Sequence, residues 1–449
     1  MFLQLKAEID AIKSIKNNIE KIEEIYLKAD TCLDDNEYLQ LTNFVKSKIQ
    51  SEALKAWEDN GCKGIIIMAT GCGKSRIPIL YMQNNSLKYP VLVVPTEKLR
   101  DNNWKEEYEK TESIIEYQKL ERHCYASISK IESKFYDFVI LDEVHNITEL
   151  NSQFIENNIT AKIMMLTATL PSNGDKIAIL EKYGFKIDYE ITISEAIRLK
   201  MVSPYELILV ECNLNNTDRT IQSGNKKNPF KITEAEHYRY LNSKIEKLEP
   251  RAILNKPEFN NTGYGFSDDN VRKNRGLTDT ERKTLNNLIL KRTNFIYNLN
   301  SKTNCANTIL KILRLENKEK RILIFCGTID QSEKLCEYRF NSKTTDEDLI
   351  AFMKNDIQML SCVNAINEGI NIPSVDIGLI VQLNNNEKNL IQRIGRIIRY
   401  KQRHIGKIII IYCKNTEDEK WMKNTVSKLN VTTVREVSHS RLLLGLDKL

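Results

Sequence analysis

Residues 64–75 read Gly-Ile-Ile-Ile-Met-Ala-Thr-Gly-Cys-Gly-Lys-Ser, and their reading decides the fold. The apolar run Gly64–Met68 predicts a buried strand, and Arg76–Gln83 predicts a helix beyond the loop. Glycines let backbone N–H groups turn toward a phosphate, and the helix N-terminus adds its positive dipole end. The general pattern GxxxxGK[ST] has glycine six positions before its lysine; here Met68 stands there, which makes the loop the Ala-Thr-Gly-x-Gly-Lys-Ser variant. Ala69, Thr70, Gly71, Cys72, Gly73, Lys74 and Ser75 are the candidate ATP-binding residues. Lys74 is placed to reach the β- and γ-phosphates and the Ser75 hydroxyl to bind Mg²⁺.

A second apolar strand ends in two carboxylates 68 residues after Lys74, in Val139-Ile140-Leu141-Asp142-Glu143-Val144-His145. Asp142 is the second candidate metal residue, acting through the water shell of Mg²⁺. Glu143 is the candidate general base for an attacking water. His145 has a plainer alternative, a strand-end histidine in a structural hydrogen bond.

Outward from these motifs, Val91–Val94, Phe138–Leu141 and Ile163–Leu166 read as further buried strands separated by helix-like stretches, which implies a parallel α/β sheet. The same texture returns at Arg321–Phe325, Ile357–Cys362, Ile377–Val381 and Lys407–Tyr412. Two α/β units therefore flank a polar middle segment, consistent with 449 residues and the ~150-residue scale of one domain. The chain is 41% hydrophobic and 28% charged, suited to a globular enzyme, and no apolar run approaches the ~20 residues that span a bilayer. Acidic residues near the N-terminus and the lack of an apolar h-region argue against a signal peptide. Ten cysteines without a CxxC pair argue against a zinc site or a disulfide framework, so a reducing, cytoplasmic setting is expected.

The net charge of +6 hides an asymmetry. Arg219–Arg292 holds 16 Lys and Arg against 9 Asp and Glu, so the positive charge is concentrated there. The segment reads either as a solvated helical connector or as a surface for a phosphate backbone. On the second reading Lys226, Lys227, Arg272, Lys273 and Arg275 are candidate nucleic-acid contacts, and Tyr238, Tyr240 and Tyr264 could stack on bases. At the other end, Ile9, Ile12, Ile19, Ile22 and Tyr26 recur on one helical face, so residues 1–48 read as helices packing on the main body, with a partner-binding arm as the alternative.

With both motifs in hand, the sequence resembles the superfamily 2 DExH-type helicases and translocases, nearest to XPB-like, RecG-like and UvsW-like DNA enzymes and their phage relatives, over about 48–205 and 300–415. Asp142-Glu143-Val144-His145 matches motif II, Leu166-Thr167-Ala168-Thr169-Leu170 motif III, Val94-Pro95-Thr96-Glu97-Lys98-Leu99 motif Ia, Asn367-Glu368-Gly369-Ile370-Asn371-Ile372-Pro373 motif V, and Gln392-Arg393-Ile394-Gly395-Arg396-Ile397-Ile398-Arg399 motif VI. The resemblance implies an α/β fold with two RecA-like domains and parallel sheets in tandem: a helical N-terminal segment at 1–48, the ATP-binding domain at 49–205, a basic, mostly helical linker or insertion at 206–300, the second domain at 301–420 and a tail at 421–449. It assigns Gln392, Arg396 and Arg399 to catalysis from the second domain, and Gly369, Asn371 and Gln50 to ATP, with a surface role the alternative for Gln50. It assigns His145, Thr167 and Thr169 to coupling, and Pro95 and Thr96 to a backbone phosphate. Asn371 departs from the aspartate usual in motif V.

The function implied is an ATP-dependent helicase or translocase, on single-stranded, forked or branched DNA and with 3′→5′ polarity. RNA as the substrate, or a motor subunit of a larger DNA-processing or defence complex, are the alternatives. A monomer is expected, with no membrane partner, working beside replication, recombination or repair proteins. One expectation is separate from the resemblance. Cys72 lies beside Lys74 and a helix N-terminus, both of which lower a thiol pKa, so it reads as the most readily alkylated cysteine, protected by ATP, with an unreactive filler as the alternative.

Overall fold

The computed structural model describes residues 1–449 except 132–133, 171–173, 225–227, 250–276, 317–318, 364–374, 384–389, 391–392, 396, 398, 403, 428 and 430–432. Two parallel sheets organise the chain. The first has six strands, β1 (Lys63–Met68), β2 (Pro90–Val94), β3 (Glu121–Cys124), β4 (Phe138–Asp142), β5 (Lys162–Thr167) and β6 (Ile187–Ile191), in the order β3-β2-β4-β5-β1-β6. β2 and β4 are buried at every residue, as continuous apolar strands covered on both faces should be. β1 lies between β5 and β6, and β4 between β2 and β5, so the phosphate loop and the paired carboxylates leave the same sheet edge with only β5 between their strands.

The second sheet has seven strands: β7 (Tyr205–Cys212), β10 (Ile322–Cys326), β11 (Arg339–Phe340), β12 (Met359–Val363), β13 (Ile377–Ile380), β14 (Gly406–Cys413) and β15 (Val434–Ser438), in the order β11-β12-β10-β13-β14-β7-β15. The four strands expected here are present as β10, β12, β13 and β14. Two expected boundaries are corrected. Residues 206–212 are not linker: β7 pairs in parallel with β14 from Tyr205 to Cys212, because its Leu207–Val210 core buries only between two neighbours. Residues 434–438 are not tail: β15 closes the other side of β7. The middle segment also carries an antiparallel ribbon, β8 (Ile221–Gly224) with β9 (Pro229–Ile232), beside the expected helices.

Three N-terminal helices, α1 (Phe2–Asp10), α2 (Ile19–Cys32) and α3 (Asp35–Asp59), pack on the first sheet. Ile9, Ile19, Ile22 and Tyr26 are buried and the Tyr26 hydroxyl donates to the Leu199 carbonyl at 3.1 Å, so this face is part of the body and not a free arm. Asp34 caps α3 by accepting the Asn36 and Glu37 N–H groups at 2.9 and 2.8 Å. The boundary expected at 48/49 falls inside this helix, which continues without a break into the residues beneath the phosphate loop.

Candidate nucleotide site at the domain junction

Ala69–Ser75 forms the loop between β1 and α4 (Arg76–Asn84). Gly71 and Gly73 adopt φ of +96° and +79°, conformations that favour glycine and turn the backbone through the tight loop. Two side chains from α3 hold it from below. Lys46 Nζ donates to the Gly71 carbonyl at 3.2 Å, and Gln50 Nε2 donates to the Cys72 and Gly73 carbonyls at 3.1 and 3.2 Å. A Cβ on Gly73 would meet that amide nitrogen at 2.6 Å. Gln50, expected as an adenine contact, is buried here and engaged with the loop itself. Lys74 Nζ donates to the Met68 carbonyl at 3.2 Å and lies 3.8 Å from Glu143 Oε1.

Cys72 overturns its expectation. It is fully buried, and burial pushes its thiol up to about 11 against the opposing pull of Lys46 and Lys74. The thiolate needed for alkylation is therefore disfavoured at neutral pH.

Asp142 ends β4, and the chain turns at Glu143 through a left-handed φ of +50°. Asp142 Oδ1 accepts the Glu143 N–H at 3.0 Å, and Oδ2 accepts the Trp104 indole N–H at 2.9 Å. Burial first, then the neighbouring Glu143, raises the Asp142 carboxyl to about 7. The residues beyond Glu143 form a short relay. His145 Nδ1 lies 3.3 Å from Glu143 Oε2 and 3.2 Å from Thr167 Oγ1. Thr167 donates its own proton to the Thr169 carbonyl at 2.7 Å, so its oxygen accepts from the imidazole and the Nδ1–H tautomer follows. The expected coupling residues His145, Thr167 and Thr169 are thus brought together with Glu143.

A cleft of about 520 Å³ gathers Gly71, Gly73, Lys74, Ser75, Asp142 and Glu143 with Lys46, Trp104, Glu106, Glu107 and Arg399. Arg399 comes from beyond β13 and reaches the first domain through a bridge to Val202. Burial lowers its guanidinium pKa while Glu107 and Glu106 oppose that shift. Gly395 packs against the loop so closely that a Cβ there would meet the Thr70 Cβ at 2.4 Å. The cleft suits Mg²⁺: the buried Asp142 and partly buried Glu143 carboxylates face it beside the Ser75 hydroxyl, and an alcohol and carboxylate set is a hard oxygen set. No group of three or more His, Cys, Asp or Glu with metal-ligand geometry occurs among the described residues.

Pro95 and Thr96 follow β2, and Thr96 Oγ1 accepts the N–H of Leu99, which lines the cleft, at 3.4 Å. Tyr238 is buried with its hydroxyl accepting the Glu417 N–H at 2.8 Å, which removes it from base stacking, whereas Tyr240 is half exposed. Gln392, Arg396, Gly369, Asn371, Lys226, Lys227, Arg272, Lys273, Arg275 and Tyr264 lie outside the described residues. Sequence reasoning missed Lys46 and Trp104. The signal for Trp104 was a lone tryptophan in the polar run Arg100–Lys105; Lys46 had none.

A family model for the helicase conserved C-terminal domain matches residues 304–401, and one for the type III restriction enzyme res subunit matches residues 43–114. The DNA 3′-5′ translocase XPB2 of Sulfurisphaera tokodaii is 21% identical over 93% of this chain and 94% of its own. Among solved structures, S. cerevisiae Dbp5 bound to RNA and ADP BeF3 covers 89% of this chain and 93% of its own at 11% identity, with a TM-score of 0.53. A type I restriction enzyme HsdR-subunit fragment from Vibrio vulnificus covers 88% of this chain and 68% of its own at 12% identity, with a TM-score of 0.52. Among the described residues no helix is long and apolar enough to cross a membrane. The chain carries superfamily 2 helicase domains on two RecA-like sheets, which make it an ATP-hydrolysing helicase or translocase.

Proposed function

We propose that this enzyme is a DNA translocase or helicase that remodels forked or branched duplexes, moving 3′→5′ as a monomer. The observation that carries the reading is the meeting of Lys74, Asp142 and Glu143, from the first sheet, with Arg399, from the second domain, in one cleft. DNA and the direction are supported by the full-length similarity to the archaeal DNA 3′-5′ translocase.

In the mechanism, the Lys74 ammonium leaves its bond to the Met68 carbonyl for the β- and γ-phosphates. Ser75 and Asp142 would hold Mg²⁺, which would supply neutralisation of phosphate charge. Glu143 accepts the proton of the attacking water, with the His145 ring 3.3 Å from its Oε2. Arg399 places a planar cation against the transferring γ-phosphoryl from across the junction. Turnover therefore requires the two domains to be closed, and separation after hydrolysis is the movement available for stepping along a strand.

The test is steady-state ATP hydrolysis with no nucleic acid, single-stranded DNA, duplex DNA, forked DNA and matched RNA. Stimulation greatest with the fork is expected. Stimulation by RNA alone would refute the DNA assignment.

A further inference from the structure

The indole of Trp104 touches the carboxylate at the centre of the site. Asp142 is gripped on both oxygens, Oδ2 by the Trp104 N–H at 2.9 Å and Oδ1 by the Glu143 N–H at 3.0 Å. The terminal torsion of an aspartate is broad and weakly preferred by itself. One donor on each oxygen fixes the plane and leaves a lone pair on each for a metal or its water. An indole N–H donates and cannot accept, so Trp104 can orient the carboxylate but cannot ligate a cation.

Trp104 is itself immobilised. It is 2% exposed and its ring lies 6.3 Å from that of Tyr108, whose hydroxyl meets Met82 Sδ at 2.9 Å. It opens α5 (Trp104–Lys110) directly after a π-helical turn at Leu99–Asn103, a rare irregularity that recurs at functional sites. The turn delivers the indole to the cleft that also holds Lys74, Ser75 and Asp142.

We infer that Trp104 is a positioning residue for the Mg²⁺-binding carboxylate: its N–H sets the orientation in which Asp142 meets the metal. This rests on the proposed reading of Asp142 as a metal residue. Outer-shell donors of this kind, when removed, weaken metal binding while leaving the rest of the site in place.

The experiment measures binding of a fluorescent ADP to the full chain as Mg²⁺ is titrated, with no turnover involved. Four proteins are compared: wild type, Trp104→Phe, Asp142→Asn, and a variant with benzothienylalanine at position 104, which keeps the ring shape and replaces N–H by sulfur. The half-saturating Mg²⁺ concentration should rise about tenfold in both Trp104 variants, with ADP affinity in EDTA little changed. If Trp104→Phe fails to fold, the benzothienylalanine variant decides. Wild-type Mg²⁺ dependence in that variant, beside an Asp142→Asn protein that has lost it, overturns the inference alone. An equal loss of ADP affinity in EDTA also overturns it, since the ring then shapes the nucleotide pocket. Wild-type Mg²⁺ dependence in Asp142→Asn overturns the metal assignment and the inference together.

Discussion

Gly395→Ala is a one-methyl perturbation placed where the two domains meet. The added Cβ would sit 2.4 Å from the Thr70 Cβ and 2.8 Å from its Cγ2. Carbon atoms rest at about 3.5–4.0 Å, so one backbone must retreat by more than about 1 Å. Both Cβ atoms are tied to main chain, and no side-chain rotation relieves the clash. Overpacking of this kind costs about 1–3 kcal/mol. At about 1.4 kcal/mol per factor of ten, the closed arrangement loses roughly 5- to 150-fold in population. Lys74 and Arg399 share the cleft in that arrangement, so kcat for nucleic-acid-stimulated hydrolysis should fall by about fivefold or more, while binding of ADP, held by the first domain, changes little. A double-mutant cycle isolates the contact. Adding Gly395→Ala to Thr70→Gly should cost far less than adding it to wild type, because the opposing Cβ is gone. Thr70→Ser keeps that Cβ and should give little relief. Undiminished kcat in Gly395→Ala, or an equal loss in the Thr70→Gly background, would refute the reasoning.

Glu143→Gln should retain ATP binding and lose about 10²-fold or more in kcat, measured by hydrolysis beside nucleotide affinity. Cys72, buried with a raised pKa, should alkylate more slowly than exposed Cys32 both with and without Mg-ATP, as read by mass spectrometry of labelled peptides; faster labelling would contradict its burial. Asp142 has a folded pKa raised to about 7, so its ionisation opposes folding: stability is greatest below the unfolded value and is lost as pH rises through about 7. Asp142→Asn should therefore raise the melting temperature of the nucleotide-free protein at pH 8, and the gain should shrink steadily as pH falls below about 7 and vanish only at about pH 4. Lys302 is wholly buried, donating to Asp418 Oδ2 at 2.7 Å and Gln382 Oε1 at 2.8 Å. Lys302→Met leaves Asp418 uncompensated and should cost about 3–5 kcal/mol in denaturant unfolding.

The chemistry-bearing loops were legible because each follows a strand whose apolar run is continuous, as Gly64–Met68 and Val139–Leu141 are. Such strands need no distant information to be recognised. What stayed hidden depends on partners far along the chain. Leu207–Val210 is as apolar as β13, yet its place is set by pairing with β14 nearly 200 residues later. Cys72 has the neighbours that lower a thiol pKa, and burial, which no local pattern reports, reverses the sign. Gln50 looked available for a base because its bonds to the loop come from tertiary packing of α3. Tyr238 and Tyr240, two residues apart on a helix, face in different directions, so one is structural and the other exposed.

The position of β7 also matters before the enzyme is finished. A ribosome releases Tyr205–Cys212 long before Gly406–Cys413, the strand it must pair with, 194 residues on from Cys212 to Gly406. At roughly 5–20 residues per second the wait is about 10–40 s. Throughout it the apolar Leu-Ile-Leu-Val strand has neither neighbour, and an unpaired strand edge is a template for other chains. Its last partner, β15, is added later still. The nascent polypeptide thus carries an adhesive segment through most of the synthesis of its second half, and expression at lower temperature or with a holding chaperone should raise the soluble yield more than any change to the ATP site.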